Sequence, residues 1–246
     1  MKKILCLDFD GVICDSLKEC LITSYISYGY YMNNQKNFHL DVKIPQNIKE
    51  KFYKYRYLVR PAKEYGMLQY LIHNYDSITR ERFDESCKNY CFPMDEYEST
   101  FFEVRSKLIS SNLSSWIGMN KIYPHVMNYW DSIISQTTTY IVTNKNLTSV
   151  RILLEHYNLE FNESNIFTKE NIHSKAETLA FLADENCIKI ENVIFIDDNS
   201  RYVTEMLDLG VQAYLASWGY EKMDIPNHLK KSNQIKNFGM LDKLIT

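Results

Sequence analysis

Apolar residues near the start of the chain form a short continuous run, ILCL at residues 4–7, which predicts a buried strand over residues 3–9. The run leads directly into Asp8 and Asp10. Beyond these acids, apolar and aromatic positions recur at helical spacing and predict a helix over residues 14–30. A buried strand that ends in carboxylates needs an explanation, because an ionised group without a partner is costly to bury. Either the strand emerges into water at that point, or the acids hold something positive.

The next part of the chain, from about residue 30 to 121, has a different character. It is rich in Tyr, Lys and Glu, its segments are amphipathic, and it shows no clear β pattern. Residues 49–72 have a helical pattern on both sides of Pro61, which breaks a helix because it lacks a backbone N–H. Residues 94–110 predict a further helix. We therefore predict that this region is a helical insert.

After the insert, the pattern alternates between helix and strand. The predicted helices cover residues 124–135, 147–157, 174–185 and 200–210, and the predicted strands cover residues 137–142, 164–167, 192–198 and 211–217. Ser174 is expected to cap the helix that follows it, and Gly210 to end the helix that precedes it. The polar tail from residue 224 onward has no clear pattern.

This alternation predicts an α/β fold, in which a Rossmann-like parallel sheet carries helices on both faces. The helical insert interrupts the fold after its first strand. We assign residues 1–16 and 122–246 to the sheet-containing core, and residues 17–121 to the insert.

Composition narrows the possible partners. The 246 residues are 45% hydrophobic and 24% charged, as in ordinary globular proteins, and the net charge of −3 gives no electrostatic footprint for nucleic acid or an anionic membrane. The first apolar run is too short for a signal peptide, and none approaches the ~20 residues that span a bilayer. The six cysteines form no CxxC pair, so we expect reduced thiols in a cytoplasmic protein.

Polar side chains follow three of the predicted strands where each strand ends. They are Asp8 and Asp10, Thr143 and Asn144, and Asp197 and Asp198. Because the carboxyl ends of parallel strands meet at one edge of a sheet, we expect these side chains to lie close together. Lys175, at the start of a predicted helix, can reach the same edge.

These residue types point to a metal and a phosphate. Several carboxylates in one crevice repel each other unless a cation lies among them, and oxygen ligands with retained water favour Mg²⁺. A lysine ammonium and a threonine hydroxyl are suitable partners for a phosphate. A carboxylate can attack phosphorus as a nucleophile, and a second carboxylate can protonate the leaving oxygen and then activate water.

Four motifs in this order resemble those of the haloacid dehalogenase (HAD) hydrolase superfamily, in its phosphoglycolate phosphatase-like branch. The motifs are LDFDGVICDS at residues 7–16, IVTNK at residues 141–145, Lys175, and FIDDN at residues 195–199. The insert resembles the small helical cap of the family. The segment SWGY at residues 217–220 is similar to one that phosphoglycolate phosphatase-like members carry after the last strand.

The resemblance implies a phosphatase that works through an aspartyl-phosphate. Asp8 would be the nucleophile, and Asp10 would act first as general acid and then as general base. Thr143 and Lys175 would hold the transferring phosphoryl group, and Asn144 would add a contact to the substrate. The implied function is hydrolysis of a small phosphorylated metabolite.

The resemblance also implies a magnesium site. Asp8 and the backbone carbonyl of Asp10 would bind Mg²⁺ together with Asp197 and Asp198, of which Asp198 better matches the direct ligand of the family.

A basic stretch in the insert contains Arg56 and Arg60. It is either a solvated helix face, or one of these arginines binds a second anionic group of the substrate.

Other functions stay open at this point. A sugar phosphomutase of the same family would also carry Asp10, but it relies on a cap histidine that this chain replaces with Cys20. A phospho-receiver uses similar residues in a different chain order, and an inactive relative would serve as a binding module. The third motif reads Lys175-Ala176-Glu177 and no acid lies three or four residues after Asp198, which bears on the substrate more than on the reaction.

Overall fold

The computed structural model of the chain describes residues 2–33, 40–89, 92–171, 174–229 and 233–245. It divides into two compact units. One unit comprises Met1–Asp15 with Lys121–Thr246, and the other is Ser16–Asn120. No helix among the described residues is long and apolar enough to cross a membrane. Five cysteines lie within the described residues and are free thiols: Cys6, Cys14, Cys20, Cys87 and Cys187.

The first unit contains a sheet of six parallel strands, as predicted for the α/β class. The strands among the described residues are β1 (Ile4–Leu7), β2 (Cys14–Asp15), β3 (Lys121–Ile122), β4 (Thr138–Val142), β5 (Ile166–Phe167), β6 (Val193–Asp197), β7 (Gln212–Ala216) and β8 (Gln234–Ile235). The order across the sheet is β5-β4-β1-β6-β7-β8, and every neighbouring pair is parallel. The remaining strands, β2 and β3, form a separate antiparallel pair.

Strand β1 lies at the centre of the sheet and pairs with β4 on one side and β6 on the other. Leu7 is in register with Ile141 and with Ile196, so Asp8 follows β1 next to the last residues of the two neighbouring strands, Val142 and Asp197. All four residues of β1 are completely buried. Both faces of the sheet are therefore covered, which explains why β1 and β6 are continuous apolar runs without alternation.

Helices flank the sheet of the first unit. They are α7 (Pro124–Gln136), α8 (Leu147–His156), α9 (Lys175–Glu185), α10 (Ser200–Asp208) and α11 (Asp242–Ile245), numbered in chain order after the helices of the other unit. The side chain of Ser174 accepts a hydrogen bond from the backbone N–H of Glu177, so the predicted cap of α9 is confirmed. Gly210 lies just beyond α10 with a positive φ of 86°, as expected for a residue that ends a helix.

Two parts of the chain have a different structure from the one that the sequence predicts. The first helix does not begin at residue 14, because Cys14 and Asp15 pair with β3 and their backbone is extended. The tail, which showed no pattern, adds the parallel edge strand β8 beside β7. A strand of two residues is too short to show a period, so its partner strand decides its structure.

The second unit is helical, as predicted for the insert. Its helices are α1 (Leu17–Met32), α2 (Gln46–Tyr55), α3 (Glu64–Asn74), α4 (Arg80–Asn89), α5 (Met94–Ser111) and α6 (Leu113–Ile117). The break predicted at Pro61 is present: α2 ends in a 3₁₀ turn over Arg56–Leu58, and α3 begins at Glu64. Aromatic rings stack in the interior of this unit, where Tyr65 lies between Phe52 and Phe101 at centroid distances of 5.9 and 5.0 Å.

The interior of the second unit also contains an ion pair. Arg105 of α5 contacts both carboxylate oxygens of Glu19 on α1, each at 2.8 Å. Glu19 is completely buried, and the hydroxyl of Thr23 donates a further hydrogen bond to it. This bidentate contact supplies hydrogen bonds to both oxygens of the buried carboxylate.

Candidate active site

The acids after β1 and β6 gather at the carboxyl edge of the sheet. Oxygen atoms of Asp8, Asp197 and Asp198 all lie within 4.8 Å of one another, and all three residues are buried. The backbone N–H of Asp8 donates to the carbonyl of Ile196, which extends the pairing of β1 with β6 by one residue. Strand register therefore brings these acids together across about 190 residues of sequence.

A tight loop separates Asp8 from the β2 strand. The carbonyl of Phe9 accepts hydrogen bonds from the backbone N–H groups of Val12, Ile13 and Cys14, which curls the chain back on itself. Gly11 adopts a φ of +85° in this loop, a conformation that side chains with a Cβ rarely adopt. The chain therefore turns sharply at Gly11.

Asp198 is enclosed by two glycines. A Cβ atom on either Gly11 or Gly219 would overlap the side chain of Asp198. The backbone N–H of Tyr220 donates to Asp198 Oδ2 at 2.8 Å. Close approach of two backbones and one hydrogen bond therefore fix where this carboxylate points.

Asp197 is paired with Lys175, which lies in the first turn of α9. Lys175 Nζ is 2.7 Å from Asp197 Oδ2 and 3.1 Å from Asp8 Oδ1. The ammonium also lies over the ring of Tyr202, 4.5 Å from its centroid. The backbone N–H of Asn199 donates to the other oxygen of Asp197, Oδ1, at 2.8 Å.

The pKa values of this pair follow from burial and charge. Burial disfavours the charged form of Lys175, but the carboxylates of Asp197 and Asp8 outweigh burial and raise its pKa above the ordinary value. Burial raises the pKa of Asp197 to about 7, against the lowering effect of Lys175, and the neighbouring Asp8 adds to the rise. Burial and the charge of Asp8 therefore outweigh Lys175, and the pKa of Asp197 stays above that of an ordinary aspartate.

Two further predicted residues follow β4. Thr143 is buried, and its backbone N–H donates to the carbonyl of Phe167, so it continues the pairing of β4 with β5. The side-chain amide of Asn144 donates to the hydroxyl of Tyr202 at 2.9 Å. Asn144 therefore contacts the tyrosine that lies over Lys175.

The predicted arginines belong to the helical unit. Arg56 begins the 3₁₀ turn after α2, where its guanidinium donates to the carbonyl of Val59 and lies over the ring of Tyr65. Arg60 lies four residues further on, and its backbone N–H donates to the carboxylate of Glu64.

The sequence analysis did not predict that Lys145 is a residue of the candidate site. Its side chain is completely buried, and Nζ lies 2.9 Å from Asp10 Oδ1. Lys145 is part of the quoted IVTNK motif, but a lysine in a polar turn is normally solvated and its burial could not be inferred from its neighbours in sequence.

The sequence analysis also assigned no role to residues 217–221. In the structure, three side chains of this segment form hydrogen bonds with the loops around the acids. The indole N–H of Trp218 donates to the carbonyl of Val12 at 3.0 Å, and the hydroxyl of Tyr220 donates to the carbonyl of Cys14 at 3.4 Å. The buried carboxylate of Glu221 accepts hydrogen bonds from the backbone N–H and the hydroxyl of Ser200, at the start of α10.

The acid cluster suits a divalent metal ion. Lys175 forms an ion pair with Asp8 Oδ1. No described residue donates a hydrogen bond to this buried oxygen. The carboxylates of Asp8, Asp10, Asp197 and Asp198 and the ammonium groups of Lys145 and Lys175 together carry a formal charge of −2. One divalent cation would neutralise that charge, and an all-oxygen set of ligands suits a hard ion.

Comparison with known proteins supports the fold. No family model matches the sequence, and no curated protein matches it. Solved structures do match over nearly the whole length of both chains. A structure from Clostridium acetobutylicum, described as a predicted phosphatase, has a TM-score of 0.65 at 16% identity and covers 100% of this chain and 98% of its own.

Two other similar structures come from different organisms. One from Haemophilus somnus 129PT, described as a predicted phosphoglycolate phosphatase, has a TM-score of 0.66 at 14% identity, with 100% of this chain and 98% of that chain covered. One from Streptococcus pneumoniae, described as a haloacid dehalogenase-like family hydrolase, has a TM-score of 0.59 at 16% identity, with 99% and 98% covered. This chain therefore has the fold of the HAD-like hydrolases, which confirms the resemblance at the level of the fold.

Proposed function

We propose that this chain is a Mg²⁺-dependent phosphatase that hydrolyses a small phosphorylated metabolite through an aspartyl-phosphate. The observation that carries the proposal is the position of Asp8. Its carboxylate lies in a buried cluster with Asp197 and Asp198, and Lys175 lies 3.1 Å from its Oδ1. A carboxylate nucleophile beside a phosphate-binding cation is the arrangement that phosphoryl transfer to an aspartate requires.

In the proposed first step, a carboxylate oxygen of Asp8 attacks phosphorus and forms an O–P bond. The bond from phosphorus to the leaving oxygen breaks, and Asp10 gives its proton to that oxygen. Thr143 and Lys175 hold the phosphoryl group while negative charge redistributes over its oxygens. The products of this step are an alcohol and the aspartyl-phosphate.

In the proposed second step, Asp10 takes a proton from a water molecule. The water oxygen attacks phosphorus, the bond to Asp8 breaks, and inorganic phosphate leaves. Asp8 is again a carboxylate and Asp10 is again protonated, so the cycle is closed. A phosphate ester benefits from such a proton donor because its leaving group would otherwise depart as an alkoxide, and Asp10 therefore favours ester substrates.

The proposed Mg²⁺ ligands are Asp8, Asp198, the backbone carbonyl of Asp10 and, directly or through water, Asp197. When bound, the ion supplies positive charge next to the transferring phosphoryl group and lowers repulsion among the acids. Asp198 is the better direct ligand, because Asp197 already pairs with Lys175 at 2.7 Å.

We further propose that the helical unit is the cap and recognises the part of the substrate beyond the phosphate. Arg56 or Arg60 would then bind a second anionic group. The phosphomutase alternative would need a proton-transfer residue at the position of Cys20, which is buried and whose thiol lies 3.6 Å from the carboxylate of Glu19. No observation favours that alternative over hydrolysis.

The proposal predicts hydrolysis of p-nitrophenyl phosphate that depends on Mg²⁺. Activity should fall to the background rate after chelation of divalent ions and return when Mg²⁺ is added, because without the ion the four carboxylates and two ammonium groups of the site keep a formal charge of −2. Release of p-nitrophenolate measures the rate. Equal rates with and without chelator would contradict the metal requirement, and no hydrolysis under any condition would contradict the phosphatase function.

Substitution Gly219→Ala should weaken Mg²⁺ binding by roughly 10–100-fold, since the new Cβ would displace Asp198. Isothermal titration of the metal-free protein with Mg²⁺ measures the change in Kd. Gly29→Ala is the matched control, because no atom lies within 4 Å of a Cβ at that position. An unchanged Kd in Gly219→Ala would show that Asp198 does not bind the ion.

A further inference from the structure

Lys145 is a buried cation to which the proposed mechanism gives no role. Its side chain is 0% exposed, whereas that of Asp10, its partner at 2.9 Å, is 15% exposed. An ammonium group is costly to bury, and a fold keeps one in the interior only with close compensation. Asp10 therefore lies between a fully enclosed cation and solvent.

The backbone of Lys145 is fixed on both sides. Its N–H donates to the hydroxyl of Thr143 at 3.2 Å, and its carbonyl accepts a hydrogen bond from the N–H of Lys169 at 3.4 Å. The ammonium also lies 5.9 Å from the centroid of the Phe9 ring. The turn after β4 thus directs this lysine back toward the turn after β1, where Asp10 lies.

The two buried lysines contact different acids. Lys175 contacts Asp8 and Asp197, and Lys145 contacts Asp10. The proposed nucleophile and the proposed acid–base residue are two positions apart in sequence, and each lies beside a buried lysine. Lys145 therefore does not duplicate the phosphate-binding role proposed for Lys175.

From this geometry we infer that Lys145 is a positioning residue for Asp10. By holding Asp10 Oδ1, it fixes the plane of the carboxyl group so that proton transfer to the leaving oxygen takes place in a defined orientation. The inference rests on the proposed function, in which Asp10 gives that proton. A carboxyl group free to rotate would be in reach of the leaving oxygen for only part of the time.

The role of Lys145 can be tested by varying the leaving group. p-Nitrophenyl phosphate and phenyl phosphate are similar in size, but phenolate is the poorer leaving group and needs the proton more. The ratio kcat/KM reports the first chemical step, in which the leaving oxygen departs. Lys145→Met should lower kcat/KM for phenyl phosphate by about 10²-fold, and for p-nitrophenyl phosphate by no more than about 10-fold.

A double variant adds a second criterion. In an Asp10→Asn background, Lys145→Met should cause little further loss, because residues that act through one another are not additive. Lys189→Met is the matched control, since Lys189 is an exposed lysine of the same unit with no place in the proposed mechanism, and it should keep the wild-type rates. Should Lys145→Met fail to fold, Lys145→Leu also removes both the charge and the hydrogen-bond donor, and the same comparison applies.

The outcomes separate the two proposals. An active wild-type protein in which Lys145→Met loses equally on both substrates, or in which its loss adds fully to that of Asp10→Asn, would overturn the inference alone. A wild-type protein that hydrolyses neither phosphate would overturn the proposed function and the inference with it.

Discussion

Replacing Asp8 with asparagine should lower kcat for p-nitrophenyl phosphate by at least about 10⁴-fold. The amide has nearly the same shape as the carboxylate, but its oxygen carries no full negative charge and does not attack phosphorus. Asp8 lies in a cluster with Asp197 and Asp198, so the substitution also removes one proposed ligand of the metal ion. Initial rates under Mg²⁺ saturation measure the effect, and circular dichroism checks that the protein is folded.

Asp131→Asn is the matched control for this substitution, because Asp131 is an exposed carboxylate on α7 of the same unit. It should have wild-type activity. A residual rate in Asp8→Asn equal to that of the wild type would show that Asp8 is not the nucleophile. If wild-type protein instead forms a phosphorylated species that persists for minutes without turnover, the chain is a phospho-receiver and not a phosphatase.

Loss of the Arg105 guanidinium should destabilise the helical unit by roughly 3–5 kcal/mol. In Arg105→Met, the completely buried carboxylate of Glu19 would keep its hydrogen bond from Thr23 but lose both contacts at 2.8 Å from the guanidinium. An ionised group left in the interior without its cation is the costliest consequence of breaking a buried ion pair. Urea unfolding followed by circular dichroism measures the free energy of unfolding.

Two further variants show whether the effect comes from the buried charge. The double variant Glu19→Met with Arg105→Met should regain most of the stability, because it removes the charge as well as its partner. Lys107→Met, on the same helix, breaks an exposed ion pair with Glu103 and should change stability by no more than about 1 kcal/mol. A loss in Arg105→Met no larger than in Lys107→Met would contradict the importance of the pair.

The long elements of the fold could be predicted because their signals are local. The apolar runs of β1 and β6 indicate strands buried on both faces, and the helical spacing along residues 94–110 corresponds to α5, Met94–Ser111. Ser174 comes directly before a predicted helix in the sequence, and in the structure its side chain caps α9. In each case, the residues that determine the structure are neighbours along the chain.

The short elements could not be predicted because their partners are distant in sequence. Cys14 and Asp15 are extended because β3, more than a hundred residues later, pairs with them. Likewise, the two residues of β8 have no periodicity of their own and are strand because β7 offers an open edge. Only the folded chain brings these partners together.

The candidate site shows the same division. Positions at the ends of strands, such as Asp8, Asp197 and Thr143, follow from topology alone. By contrast, the buried side chain of Lys145 pairs with Asp10 in a different loop, and no residue pattern in the turn after β4 indicates this burial. Glu221 likewise brings a carboxylate to Ser200 at the start of α10 from beyond β7, a contact that no local pattern indicates.

The pairing of Lys145 and Lys175 with the acids affects how the protein would mature. These two cations belong to the chain, so they reach the acids as soon as the polypeptide folds. A site compensated only by a dissolved ion would depend on the concentration of that ion to fold at all. At the proposed magnesium site, an ion would add stability by mass action to a set of acids that Lys145 and Lys175 already partly neutralise. Folding of the chain would then not require the ion, and the native structure could form before the ion binds.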